Sequence, residues 1–200
     1  MKTTWSAAIA ACGWVAAQAW AQVAVVEAIH EPAWITRGGG EERLAPGMRL
    51  DVRDGVRTGK GGRARLRLAE DSAVKLGERA GFLIERAEIE GTFRATLTVL
   101  AGAFRFTTDA AAPAKPREIA VKAKQVTIGL RGTDFWGRVG PDEDFVVLLE
   151  GRIQVSAQGH PPVTLAKAGD LYAKPRDGKP ALSRAHPATL AAWAAETEIP

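Results

Sequence analysis

The chain has 200 residues, 46% apolar and 25% charged, with a formal net charge of +4 and a pI near 9.5. This length suits one domain with small appendages, and the balance excludes both a disordered chain and a bundle of membrane helices. A positive surplus this small is far from that of a dedicated nucleic-acid binder, so no nucleic-acid partner is expected.

Residues 1–21 read as a secretory signal peptide. Lys2 supplies the positive start, Trp5–Val15 the apolar stretch, and Ala19-Trp20-Ala21 a small-x-small cleavage site. Cleavage after Ala21 would place the protein in the periplasm with a net charge of about +3. The sole cysteine, Cys12, lies in this segment, and Ile9-Ala10-Ala11-Cys12 faintly resembles a lipoprotein box. The apolar pattern continues beyond Cys12, which favours the cleaved form over a lipid anchor. A chain lacking Cys12 has neither a disulfide nor thiolate chemistry and suits an oxidising compartment. No second apolar run follows, so no transmembrane span is expected in the mature chain.

From residue 22 the sequence is a succession of short strand patterns separated by turn residues. Val23–His30 and Ala33–Arg37 are strands joined at Glu31-Pro32, and a hairpin-like connection follows at residues 38–42. Turns are expected at Pro46-Gly47, Asp54-Gly55 and Gly59–Gly62. Arg63–Leu68 is the cleanest strand: Ala64, Leu66 and Leu68 point one way and Arg63, Arg65 and Arg67 the other. Ala73–Leu76 and Gly81–Ala87 come next. Thr92–Leu100 and Ala103–Thr107 then read as two strands broken at Ala101-Gly102, with Phe104 and Phe106 inward. After a Pro/Ala-rich loop at 109–117 comes Ile119–Ala123. Later strands are 145–149, 151–156, 163–166 and 171–173. Residues 174–186 read as a linker, and 187–196 as a C-terminal helix started by Pro187, with Trp193 docking it.

The most informative stretch is Gln125–Gly151. Apolar side chains fall on even positions at Val126, Ile128 and Leu130, then on odd ones at Phe135 and Val139. A one-residue slip turns every side chain to the other face, so an extra residue or corner must sit at Arg131-Gly132. With no helical pattern between the strands, βαβ units are excluded. The fold class is all-β, a rolled β-helix-like or sandwich-like sheet, with the helix and the first strands as candidate end covers.

Leu130-Arg131-Gly132-Thr133-Asp134-Phe135 followed by Leu149-Glu150-Gly151-Arg152-Ile153 resembles the signature of the FecR domain family, an RGT-x-F segment and then an EG-x-V segment. The resemblance extends from about residue 47 to residue 173 and includes Val56-Arg57-Thr58-Gly59, Ala64–Ser72 and Leu100–Phe106. At Glu70-Asp71-Ser72 the family has Asp-Gly-Ser, which leaves the turn type open. The resemblance marks Arg131, Gly132, Thr133, Phe135, Glu150 and Gly151 as motif residues. It implies an all-β roll and a role in envelope sensing or signal relay through an envelope protein partner. The best-known relatives also carry a membrane helix, a cytosolic anti-sigma segment and a receptor-docking domain. None is visible here, so the expectation is an exported interaction or scaffold module.

Candidates for chemistry are few. His30, His160 and His186 are scattered and lack metal-ligand spacing, no serine sits in a nucleophile elbow, and Gly59–Gly62 lacks the features of a phosphate-binding loop. Neither catalysis nor a cofactor or metal site is expected. Asp142, Glu143 and Asp144 read as a solvated hairpin tip. Arg131 is either a carboxylate-gripping residue or a tie for corner carbonyls, with Asp134 as a nearby internal partner. The stripe Arg63, Arg65, Arg67, extended by Lys75, Arg79 and Arg86, is either a solvated face or a site for anionic glycan or peptidoglycan. Trp136 lies opposite in phase to Phe135, so it is either covered by another segment or anchors a contact.

Overall fold

The computed structural model describes residues 23–69, 71–88, 91–108 and 117–200, with Arg131 and Gly132 placed by their backbone. The expected signal peptide and Cys12 lie outside this set. Fifteen strands form one continuous sheet: β1 (Ala24–His30), β2 (Ala33–Arg37), β3 (Gly40–Arg43), β4 (Arg49–Leu50), β5 (Gly55–Thr58), β6 (Arg63–Leu68), β7 (Ser72–Leu76), β8 (Gly81–Glu88), β9 (Phe93–Thr108), β10 (Arg117–Lys122), β11 (Val126–Val139), β12 (Glu143–Ala157), β13 (Val163–Leu165), β14 (Asp170–Pro175) and β15 (Ala181–Arg184). One helix follows, α1 (Pro187–Ala195).

The pairing divides this sheet into two layers that share three long strands. Layer A runs β3-β2-β5-β8-β9-β10-β11-β12-β13, using the first half of β9 and β11 and the second half of β12. Layer B runs β4-β1-β6-β7-β9-β11-β12-β14-β15, using the other halves. The β9–β10 pair is parallel and the other pairings are antiparallel. Side chains from both inner faces meet in one core that includes Leu66, Phe82, Leu97, Phe106, Phe135 and Val155. Each large aliphatic or aromatic group buried there contributes about 1.5–3 kcal/mol.

Each shared strand changes its inward set as it passes from one layer to the other. On β11 the buried positions go from Val126 and Ile128 to Thr133, Phe135 and Val139; on β12 they go from Asp144, Val146 and Leu148 to Ile153, Val155 and Ala157. The register locates the switch. Leu130 faces Ile153 and Thr133 faces Gly151, so β11 carries the extra residue; Asp134 faces Glu150 and Phe135 faces Leu148, so β12 carries the compensating one at Leu149. Gly151 takes φ +83°, which the bulged backbone requires there.

The same device explains a departure in β9. The break expected at Ala101-Gly102 is a bend inside one 16-residue strand. Gly81 faces Ala101 and Phe82 faces Val99, leaving Leu100 as the bulged, half-exposed residue. Gly102 follows with φ +84°, and a β-carbon there would lie 2.6 Å from the Ala80 Cα. Glycine is therefore required for both backbone angle and space.

Other expectations are corrected locally. The turn expected at Asp54-Gly55 sits at Val52-Arg53, with Arg53 at φ +75°. Asp54 is buried behind it, where its carboxylate accepts two bonds from Arg37 and the Asp51 N–H at 2.7 Å. At the departure from the family pattern, Asp71 takes φ +52°, a left-handed angle that Asp tolerates better than most residues other than glycine. Residues 174–186 are not a linker: they contain the end of β14 and all of β15, which pairs Ala181 with Ala173 and Arg184 with Asp170. Asp144 is not part of a solvated tip, since it is buried while Asp142 and Glu143 are exposed.

Candidate interaction surfaces

The motif corner is built into the fold. Phe135 stacks on Phe106 at 5.8 Å and meets Phe104 edge-on at 5.9 Å, so it ties β11 to β9 inside the core. Thr133 is buried, and its backbone exchanges two bonds with the Thr108 hydroxyl, N–H donating at 2.7 Å and C=O accepting at 3.3 Å. Asp134 takes Arg105 as its partner in a bidentate pair of 2.6 and 2.9 Å. Glu150 and Gly151 are exposed on β12 beside the bulge. These residues set strand phase and bind the two layers.

Trp136 is not on the surface. It is fully buried, and α1 covers it: the Trp193 ring stacks parallel at 5.4 Å, and Phe145 packs against both rings. With Ala103, Val147, Leu171 and Leu190 they form a second apolar cluster on the outer face of layer B. His186 caps α1 by accepting the Ala188 N–H at 3.3 Å, and Pro187 occupies the first turn. The segment after α1 is pinned by charge. Glu196 pairs with Arg138, while Glu198 takes Lys75 at 2.5 Å and Arg105 at 3.0 Å. Burial opposes ionisation of Glu198, but those two cations outweigh it and hold the carboxyl below the usual range.

The arginine stripe lies on the outer face of layer B, with its charge partly committed. Arg65 pairs with Glu27 at 2.7 Å, and Arg63 donates to the Gly61 and Gly62 carbonyls. Arg67 is exposed and makes no ion pair among the described residues. Arg86, grouped with this stripe from the sequence, is on the opposite outer face, in layer A.

That face holds an open trough of about 840 Å³. Its floor follows one transverse row of the sheet, in which Arg86 faces Thr96, Thr96 faces Ala120, Ala120 faces Gly129 and Gly129 faces Gln154. Thr96, Ala120 and Gly129 are small, so the row is sunken relative to its flanks. Along one flank stand Arg94, paired with Glu118 at 3.1 Å, and Arg152. On the other, Lys122 binds Glu85 at 2.7 Å, and Thr98 donates to the same carboxylate. Periodicity assigned each side chain to a face but could not bring these distant arginines together.

Among the described residues no group of three or more His, Cys, Asp or Glu could hold a metal ion. His30 ends β1, His160 sits between β12 and β13, and His186 serves as the helix cap. No helix among those residues is long and apolar enough to cross a membrane. Asp144 has one carboxylate oxygen on the Gln125 N–H at 2.5 Å and the other without a well-formed hydrogen bond among the described residues, and burial pushes its pKa up.

The family model described as FecR protein matches residues 54–154. Two crystal structures of a candidate anti-sigma factor from Parabacteroides distasonis share the architecture, each with a TM-score of 0.57 and 12% identity over 70% of this chain. The match covers 64% and 63% of those chains, so this chain spans less than two thirds of that protein's length. No curated protein matches the chain.

Proposed function

The chain belongs to the FecR protein family, and from that premise we propose that it is an exported, non-catalytic interaction module that works in envelope sensing or signalling by holding a protein partner. The observation that carries this reading is the family match across residues 54–154, which spans the strands that bend between the two layers. The periplasm is the proposed compartment, reached through the signal peptide at residues 1–21. Solved relatives of the same architecture described as candidate anti-sigma factors support the regulatory part of the reading.

A protein partner fits better than the anionic glycan that Arg63, Arg65 and Arg67 suggested. Arg65 has Glu27 as a partner and Arg63 is folded onto backbone carbonyls, which leaves Arg67 as the one member of the three without such a partner among the described residues. Photo-crosslinking in intact cells tests the proposal, with the reactive side chain placed in turn at exposed positions of both outer faces. One envelope protein captured from one face and not the other is the expected result. The same scattered products from every position would refute it. Retention on purified peptidoglycan that disappears in Arg67→Glu would favour the glycan reading instead.

A further inference from the structure

We propose that the trough on the outer face of layer A is the docking site for an acidic, extended peptide segment of the partner protein; this rests on the interaction-module reading above. Three observations carry it. First, the two outer faces are unequally treated. Layer B hides its apolar outer residues under α1, whereas the trough of layer A is open among the described residues.

Second, the trough has unspent positive charge. Arg86 and Arg152 are exposed at its margin and make no ion pair among the described residues. Arg94 already has Glu118 as a partner. The lining sets Arg86, Arg94, Arg117 and Arg152 against Glu88 and Glu118, a positive balance, and a guanidinium grips a carboxylate with two parallel bonds, so the favoured ligand is negative. Lys122 contributes nothing further, since Glu85 satisfies it.

Third, the shape fits a peptide better than a sugar. The row from Arg86 through Thr96, Ala120 and Gly129 to Gln154 crosses five strands, which at a strand spacing of about 4.8 Å is about 19 Å. An extended chain rising about 3.3 Å per residue fills that with about six residues. The floor residues Thr96, Ala120 and Gly129 carry no ring against which a sugar face could stack, but they leave room for a peptide backbone. Carboxylates near its two ends would meet Arg86 and Arg152, the pattern in which arginines dominate an interface.

The test uses purified protein and a fluorescein-labelled peptide of about ten residues rich in Asp and Glu, read by anisotropy at low and at physiological salt. Saturable binding that weakens with salt is expected. Arg86→Glu and Arg152→Glu should each weaken it about tenfold or more. Arg67→Glu, on the other outer face, should change it less than about twofold. Circular dichroism of the variants keeps a folding defect from being read as a binding defect. Equal binding of a neutral peptide of the same length, or equal loss in Arg67→Glu, would overturn the assignment.

A second measurement separates this inference from the reading it rests on. If crosslinking captures one envelope protein from the layer B face and none from Thr164 or Gln154, the interaction module stands and the trough is refuted. Concentration-dependent dimerisation that Arg86→Glu abolishes would also refute it, because the exposed Asp142 and Glu143 of a second copy would then be the occupant.

Discussion

Replacing Trp193 by alanine tests whether α1 belongs to the cooperative fold or merely rests on it. An aromatic side chain of this size removes about 150–250 Å² from water when fully buried. Trp193 is half-buried, so about 120 Å² is a fair share, and at about 25 cal/mol per Å² this amounts to about 3 kcal/mol. The parallel stack on Trp136 adds about 1 kcal/mol, and residual compactness of the unfolded chain removes about a quarter of the area term. The expected loss is therefore about 3 kcal/mol, measured as a lower urea midpoint with an unchanged slope. Trp136 would become exposed at the same time, so native emission should shift to the red in a Trp34→Phe background that removes the third tryptophan of the described chain. Trp193→Phe, which keeps a ring against Trp136, should lose less than half as much. A loss below about 0.5 kcal/mol with unchanged emission would mean that α1 does not cover Trp136 in solution.

Gly102→Ala should destabilise by about 2–4 kcal/mol, seen as a lower Tm, because the new β-carbon meets the Ala80 Cα and φ +84° is a left-handed angle; a change below about 0.5 kcal/mol would show that β9 bends elsewhere. Burial opposes the charged form of Asp54, but the Arg37 pair and the Asp51 N–H outweigh it and lower its pKa. Its contribution is thus complete above the unfolded carboxyl value of about 3.8 and lost as pH falls through the lower folded value, and Asp54→Asn should flatten acid unfolding in that window. Arg105→Met leaves the half-buried Asp134 without its bidentate partner and removes one of the two cations on Glu198; a loss of about 1–3 kcal/mol is expected in urea titration, and no loss would show the pair to be solvated.

Phase was the most legible feature of the sequence. The switch at Arg131-Gly132 and the in-and-out pattern of Arg63–Leu68 follow from alternation alone, and alternation is what the pleat imposes. Continuity was not legible. Ala101-Gly102 looks like a turn because a bulge uses the same residues as a turn, and only pairing on both sides shows that β9 runs on. Nor was β15 visible, since Ala181–Arg184 is an edge strand exposed along its whole length and so carries no alternation. For Trp136 the facing direction was readable, but its cover comes from α1, remote in sequence. The trough escaped for the same reason: Arg86, Arg94 and Arg152 come from three separate strands and meet only through cross-strand register.

The bulge at residues 131–132 separates the two halves of β11. On the far side of it, odd positions of β11 enter the core and even ones face α1; before it, even positions enter the core and Gly129 faces the trough. Deleting Gly132 would take out the extra residue and leave one residue between the Leu130–Ile153 and Thr133–Gly151 pairs on each strand, so Phe135 would stay inward and Trp136 would stay under α1. What is lost is the bend that the bulge gives β11 as it passes from one layer to the other. Holding a regular strand in that bend costs about 1–3 kcal/mol, the size of other local backbone strain. The expected outcome is a folded chain with a lower urea midpoint and native Trp136 emission. Red-shifted Trp136 emission in a folded variant would show instead that the layer B half of β11 had turned over.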